Sequence, residues 1–283
     1  MGSVIAGVAL AAVASVLFNV AIVIQASEAR DVPDEHGLRL SLIGRLLRRR
    51  RWLLGALLGL TAFPLQTIAL LLAPLTAVQP ADAAGLLVLL FLGARSLHER
   101  VGRREIVAVA CITVGIVVLT IAAPKREVTQ VDGTDVLLPM AAIALVAIGP
   151  LVFRRMSADS IAVVLAAGFA FALGAFCAKI VADAIDRGAW LAVVLMVGVA
   201  AGAAAVGTLT EQTALQRRQA TQVAPLIFAV ELLVPVALAV LVVGEDWERE
   251  SLVAILLALA LVVGGASTLA RTPTVARMFE AGS

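Results

Sequence analysis

The sequence predicts an all-α, polytopic membrane protein with about nine transmembrane helices. Of its 283 residues, 61% are hydrophobic and 15% are charged, and the mean hydropathy is +1.04, whereas a soluble domain is about half apolar and a quarter charged. Apolar runs recur along the chain, and many reach the roughly 20 residues that a helix needs to cross about 30 Å of hydrocarbon. We therefore expect no separate soluble domain. The net charge of +2 gives no reason to expect a nucleic-acid partner.

Nine apolar stretches of about 17 to 25 residues are bounded by charged residues or proline, and each is a candidate span. They cover residues 3–25, 52–72, 75–94, 106–122, 136–153, 160–182, 189–210, 221–243 and 252–270. The first stretch lacks the basic flank and small-residue cleavage pattern of a signal peptide, so we expect it to be a helix of the mature protein. The stretch 38–47 is the main alternative to this count, as a re-entrant or interfacial helix whose arginines argue against a full span.

The distribution of basic residues predicts the orientation in the membrane, because arginine and lysine near span ends are retained in the cytoplasm. If nine spans alternate, the arginine-rich loop 26–51, the loops around Arg103, Arg154 and Arg217, and the tail 272–283 fall on one side. The opposite loops carry more acidic residues. This predicts a multi-pass protein of the cell membrane, with the N-terminus outside and the C-terminus in the cytoplasm.

Two short segments indicate an internal repeat. Residues 76–80 (Thr-Ala-Val-Gln-Pro) and 221–225 (Thr-Gln-Val-Ala-Pro) each open an apolar span that ends in an acidic turn. One turn would be cytoplasmic and the other outside, as inverted repeats require. We expect a first repeat of spans 1–4 in residues 1–131 and a second of spans 5–9 in residues 132–271. The alternative is that proline near a helix start and charge near its end are ordinary features of membrane helices.

Several segments resemble the drug/metabolite transporter (EamA-like) superfamily. The segment 73–80 (Ala-Pro-Leu-Thr-Ala-Val-Gln-Pro), the apolar run that ends in Leu-His-Glu-Arg at 97–100, and residues 102–124 are similar to its helices. Within the superfamily the chain is most similar to the NIPA-like magnesium-transporter branch, in residues 18–25 (Phe-Asn-Val-Ala-Ile-Val-Ile-Gln) and in 221–247, which ends in Glu-Asp-Trp. The resemblance implies a bundle of two inverted repeats, and the branch implies transport of Mg²⁺.

Ionisable side chains inside a bilayer are costly and are therefore candidates for solute binding or coupling. Glu231 lies about ten residues into the eighth span, near the midplane, and Asp82 lies in the matching helix of the other half. Both are also candidate cation ligands. The alternative is that Glu231 is protonated and bonded to a neighbouring helix, while Asp82 tops a helix near water. Four neutral residues at membrane depth either bind the solute or join helices by hydrogen bonds: Asn19, Gln66, Gln79 and Gln222.

The sequence contains no phosphate-binding loop, no metal-spaced His/Cys/Glu set and no Ser/His/Asp arrangement, so we expect neither an enzyme nor a resident cofactor.

We expect a secondary transporter that works by alternating access between its halves, with the bilayer and a small solute as partners. A divalent cation such as Mg²⁺ is the first candidate solute, and the second reading is a proton-coupled exporter of a small organic metabolite or drug. A non-transporting membrane scaffold is the third reading, and a homodimer is an open possibility. A Mg²⁺ site needs converging oxygen ligands with room for water, whereas a metabolite site is wider and more apolar.

Overall fold

A computed structural model describes residues 2–73, 75–122, 133–153, 160–243 and 249–270. Within these residues the chain forms ten α-helices and one 3-10 helix (Asp34–His36), without strands. The α-helices are α1 (Gly2–Arg30), α2 (Leu40–Leu46), α3 (Arg50–Leu72), α4 (Leu75–Ser96), α5 (Arg103–Ala122), α6 (Gly133–Val152), α7 (Ile161–Asp186), α8 (Trp190–Arg217), α9 (Ala220–Val243) and α10 (Arg249–Ala270).

Four helical segments are long and apolar enough to cross a bilayer: Ser3–Arg30, Arg50–Ala69, Trp190–Arg217 and Val253–Ala270. Within the described residues, four further apolar helical stretches are shorter: Gly85–Ser96, Leu137–Val152, Ile161–Cys177 and Ala220–Val234. Many large apolar side chains on these helices are exposed, as is typical of surfaces that face lipid. The all-α class is confirmed for the described residues, and their long apolar helices are those of a helical membrane protein. The count of nine spans stays a prediction.

The stretch 38–47, the main alternative to the count of nine spans, contains the seven-residue helix α2. At a rise of 1.5 Å per residue it is about 10 Å long, a third of the hydrocarbon thickness, so it does not add a span. Leu42 and Leu46 are fully buried and belong to the same apolar cluster as Trp52, at the start of α3, and Leu209 of α8. The helix therefore packs against the ends of longer helices.

The helices pack in a pattern that occurs twice. α1 packs against α3 and α4, and α7 packs in the same way against α8 and α9. α5 and α10 pack against each other, and α6 packs mainly on α7. The set α1, α3, α4 and α5 thus corresponds to the set α7, α8, α9 and α10. Because α7 is the sixth long helix, the two sets would run in opposite directions if every long helix crosses the membrane.

Glycine permits the close contact between α5 and α10. A Cβ atom on Gly115 would lie 2.8 Å from the carbonyl oxygen of Ala258, and one on Gly265 would lie 2.5 Å from that of Ala108. Both distances are too short for a side chain, so only glycine lets the two backbones meet here. Close packing through small residues is the usual way in which helices associate in lipid.

The two segments that suggested a repeat occupy equivalent positions in the fold. Residues 76–80 are the second to sixth residues of α4, and residues 221–225 are the second to sixth residues of α9. The central valines, Val78 and Val223, are both fully buried. The match between sequence motif, helix position and burial supports the interpretation that the two segments are related.

Candidate functional site

A cavity of about 210 Å³ lies between α1, α3, α4 and α9. Each helix contributes residues from near its middle. The polar lining consists of Ser15, Asn19, Gln66 and Glu231. The apolar lining consists of Ala14, Phe18, Ile22, Ala62, Phe63, Leu86, Ala224 and Phe228. Mostly apolar walls with a few convergent polar groups are typical of sites for small molecules.

Glu231 is the one acidic residue among the described residues that line this cavity. It is the twelfth of the 24 residues of α9, so it lies halfway along the helix. No residue of the described segments forms a hydrogen bond or ion pair with its carboxylate, which leaves the group available to a ligand. Glu211 of α8 is close enough for the two charges to interact. A cation or a proton would relieve the repulsion between two ionised carboxylates.

Asn19 is held in place on the cavity wall by its own helix and by α4. Its side chain is buried, and its Nδ2 donates a hydrogen bond to the backbone oxygen of Ser15 at 2.8 Å. α4 comes very close at Gly85, where an added Cβ would overlap Ser15 Oγ and lie 2.7 Å from Asn19 Nδ2. The absence of a side chain at Gly85 is therefore what allows α4 to close against the polar face of α1.

A buried carboxylate joins three helices at one end of the bundle. Glu99, just after α4, has a side chain that is 1% exposed, and it forms an ion pair with Arg30 at the end of α1. It also accepts hydrogen bonds from the first residues of α9: from Ala220 N at 2.7 Å, Thr221 N at 3.0 Å and Thr221 Oγ1 at 2.6 Å. A carboxylate is favourable here because the N-terminus of a helix carries partial positive charge and free N–H groups. Glu99 thus ties α1 and α4 to α9.

The turn after α4 orients the Glu99 side chain towards Arg30 and the start of α9. The backbone N–H groups of Leu97 and Glu99 both donate to the oxygen of Gly93 at 3.1 Å. His98, between them, has a φ of 53°, in the left-handed region that glycine usually occupies at helix ends. Gly93 also makes room for α9, because a Cβ there would overlap the methyl group of Thr221. The local backbone conformation therefore positions the carboxylate.

A layer of amide side chains lies near the same end of the bundle. Gln212 of α8 donates from Nε2 to Gln25 Oε1 at 2.7 Å and accepts from Trp52 Nε1 at 3.0 Å. Gln216, one turn later, donates to the backbone oxygen of Val32 at 3.1 Å. These bonds join α8 to α1 and α3. Together with Glu99, they hold the helices together at this end of the bundle.

The structure brings together three of the six residues that the sequence suggested. Asn19, Gln66 and Glu231 line the same cavity. Gln222 does not line it: its side chain is fully buried at the start of α9 and donates to Gln219 Oε1 at 3.3 Å. The side chains of two predicted residues lie outside the described parts of the structure: Gln79 and Asp82.

Of the two suggested cation ligands, Glu231 and Asp82, only Glu231 has its side chain in the described part of the structure. Among the described residues, no group of three or more His, Cys, Asp or Glu side chains is arranged to hold a metal ion. Sequence reasoning treated Glu99 only as part of a charged turn and did not single out Arg30. The signal that could have drawn attention to Glu99 is its position after α4, the helix that opens with the repeated motif.

No family model, no curated protein and no solved structure matches the chain.

Proposed function

We propose that the chain is a secondary transporter of the cell membrane that moves a small, positively charged organic solute in exchange for protons. The observation that supports this most directly is the central cavity, in which the free carboxylate of Glu231 lies among apolar walls. A non-transporting scaffold would not need a cavity at the middle of its helices. A carboxylate without a protein partner at that depth is costly unless it binds something.

The lining of the cavity suits an organic cation. Three aromatic side chains, those of Phe18, Phe63 and Phe228, line the same cavity as Glu231. Aromatic faces attract cations, and the attraction is strongest where water is excluded. The carboxylate would pair with the charge of the solute, and Asn19 and Gln66 would hydrogen-bond its polar groups. Protonation neutralises Glu231, so a proton and a cationic solute would compete for one group.

Alternating access between two inverted halves is the proposed mechanism, in keeping with the resemblance to the drug/metabolite transporter superfamily. The repeated helix packing and the two motifs at the starts of α4 and α9 support it. In the structure, Glu99 ties α9 to α1 and α4 about ten residues, or roughly 15 Å along the helix, before Glu231. We propose that breaking this tie opens the cavity towards that end, which is cytoplasmic in the predicted topology.

Mg²⁺ is a second candidate solute. Glu211 and Glu231 are near each other, and the amide oxygens of Asn19 and Gln66 line the cavity that Glu231 lines. Carboxylate and amide oxygens are ligands that Mg²⁺ accepts, and the ion keeps several waters, for which a cavity of about 210 Å³ has room. The apolar walls favour the organic cation over Mg²⁺.

Transport by purified protein in liposomes tests the proposal. Vesicles with an imposed pH gradient would be given a panel of organic amines and quaternary ammonium compounds, and separately Mg²⁺ with a trapped indicator dye. We expect uptake of at least one organic cation, dependent on the pH gradient. Glu231→Gln keeps the shape of the side chain but cannot titrate, so it should abolish coupled uptake, whereas Glu231→Asp should retain part of it.

Glu105→Gln provides the matched control, because Glu105 is a buried carboxylate that lies at the start of α5 and accepts a hydrogen bond from Gly102 N at 2.8 Å. This variant should transport like the wild type. Wild-type uptake by Glu231→Gln across pH 6 to 8 would show that the carboxylate is structural. Uptake of Mg²⁺ alone, lost in Glu231→Gln, would replace the organic cation with the second candidate.

A further inference from the structure

The segment between α1 and α3 concentrates positive charge. Six arginines occur in the 13 residues 39–51, and no acidic residue occurs between Glu35 and Asp82. Such clusters next to a membrane helix are attracted to the negative surface of a membrane. The structure distinguishes the arginine that bonds to other residues of the protein from those that do not.

Arg49 is used inside the protein. Its guanidinium donates to Glu28 Oε2 at 3.1 Å and to Asp31 Oδ2 at 3.2 Å, and it also bonds the backbone oxygens of both residues. These contacts join the start of α3 to the end of α1. The side chains of five other arginines are exposed and form no hydrogen bond or ion pair with any residue in the described part of the chain: Arg39, Arg45, Arg48, Arg50 and Arg51.

The exposed arginines border an exposed apolar surface. On α3, Leu53, Leu54 and Leu57 follow Arg50 and Arg51 within two turns, and all three leucines are between 42% and 57% exposed. Leu57 is seven residues, or about 10 Å, from Arg50 along the helix. Leu40 and Leu47 are also exposed beside the arginines. Charge directly beside lipid-facing leucines is the arrangement expected where lipid headgroups meet hydrocarbon.

We infer that this arginine surface, formed by Arg45, Arg48, Arg50 and Arg51, binds the phosphate headgroups of anionic phospholipids. Guanidinium groups bind phosphate through paired hydrogen bonds. α3 begins without an acidic residue in its first turn and without a side-chain cap, so the helix dipole adds to the positive potential instead of being offset. The inference does not depend on transport, because it concerns a surface away from the cavity.

Binding of phosphatidylglycerol and phosphatidylcholine to the full chain, purified in mild detergent, tests the inference by native mass spectrometry. The wild type should prefer phosphatidylglycerol, and the preference should weaken as salt is raised. The double variant Arg50→Gln/Arg51→Gln should bind phosphatidylglycerol roughly 30-fold more weakly, which corresponds to about 1 kcal/mol for each arginine. The matched control is Arg103→Gln/Arg104→Gln, which removes the same charge from the first two residues of α5. Because Glu105 in the same turn already offsets part of that charge, this variant should change binding little.

Three results would overturn the inference. The first is an absence of lipid preference in the wild type. The second is an equal loss of binding in both double variants, because the effect would then belong to net charge. The third is a thermal stabilisation by inorganic phosphate that matches the one by phosphatidylglycerol and depends on Arg50 and Arg51, because the site would then be one for free phosphate. Unchanged melting temperatures of the double variants without lipid would confirm that they fold.

Discussion

Removal of the Glu99 carboxylate should destabilise the protein more than removal of the Glu105 carboxylate. Glu99→Ala leaves the backbone N–H groups of Ala220 and Thr221 without an acceptor in a buried place. A buried donor without a partner costs about 1–3 kcal/mol. Arg30 loses its ion pair with Glu99 but keeps a hydrogen bond to the backbone oxygen of Arg218 at 3.4 Å, so it is not left without a partner.

The two N–H groups alone therefore predict a loss of about 3 kcal/mol in the free energy of unfolding. For a chain of this size, a loss of about 3 kcal/mol lowers the melting temperature by roughly 6–12 °C. Glu105→Ala is the control, because Glu105 bonds a single N–H group, that of the exposed Gly102. Its expected cost is about 1 kcal/mol or less.

A thiol-reactive dye measures this unfolding directly, because Cys177 is fully buried in the folded protein. Cys111 is only partly buried, so the measurement is best made after Cys111→Ala. The dye should react with Glu99→Ala at a clearly lower temperature than with Glu105→Ala. If both variants melt within a degree or two of each other, Glu99 does not hold α9 through these hydrogen bonds.

Four further substitutions have expected effects on the melting temperature, each measurable with the same dye assay. Trp52→Phe should cost about 1–2 kcal/mol, because Gln212 Oε1 loses its donor; no change would show that this bond is not formed. His98→Gly should be neutral or stabilising by less than about 1 kcal/mol, since a left-handed φ suits glycine, and a large loss would contradict that conformation. Gly85→Ala should be destabilising because an added Cβ would overlap Ser15 Oγ on α1 and force that side chain to shift, whereas Gly149→Ala, whose Cβ would meet nothing within 4 Å, should be tolerated.

Much of the helical framework could be predicted from composition and spacing. Each of the nine predicted spans coincides with one long helix and extends beyond it by at most one residue, because apolar stretches bounded by charge are a local property of the chain. Their ends were less predictable: α1 continues to Arg30, past the predicted end of the first span. The end of α3 follows from local chemistry, since Ala73 is extended at φ −138° and ψ 147° and the residue before a proline disfavours the helical conformation.

The sequence by itself also placed Glu231 halfway along an apolar helix, because position in a helix follows from counting residues. Which residues face Glu231 depends on how α1, α3, α4 and α9 are rotated and packed, and no local pattern encodes that. The contact of Glu99 with Arg30 and Thr221 spans 69 and 122 residues of sequence. Only the tertiary structure decided it, because a charged turn and a helix start look the same in sequence whether they face water or each other.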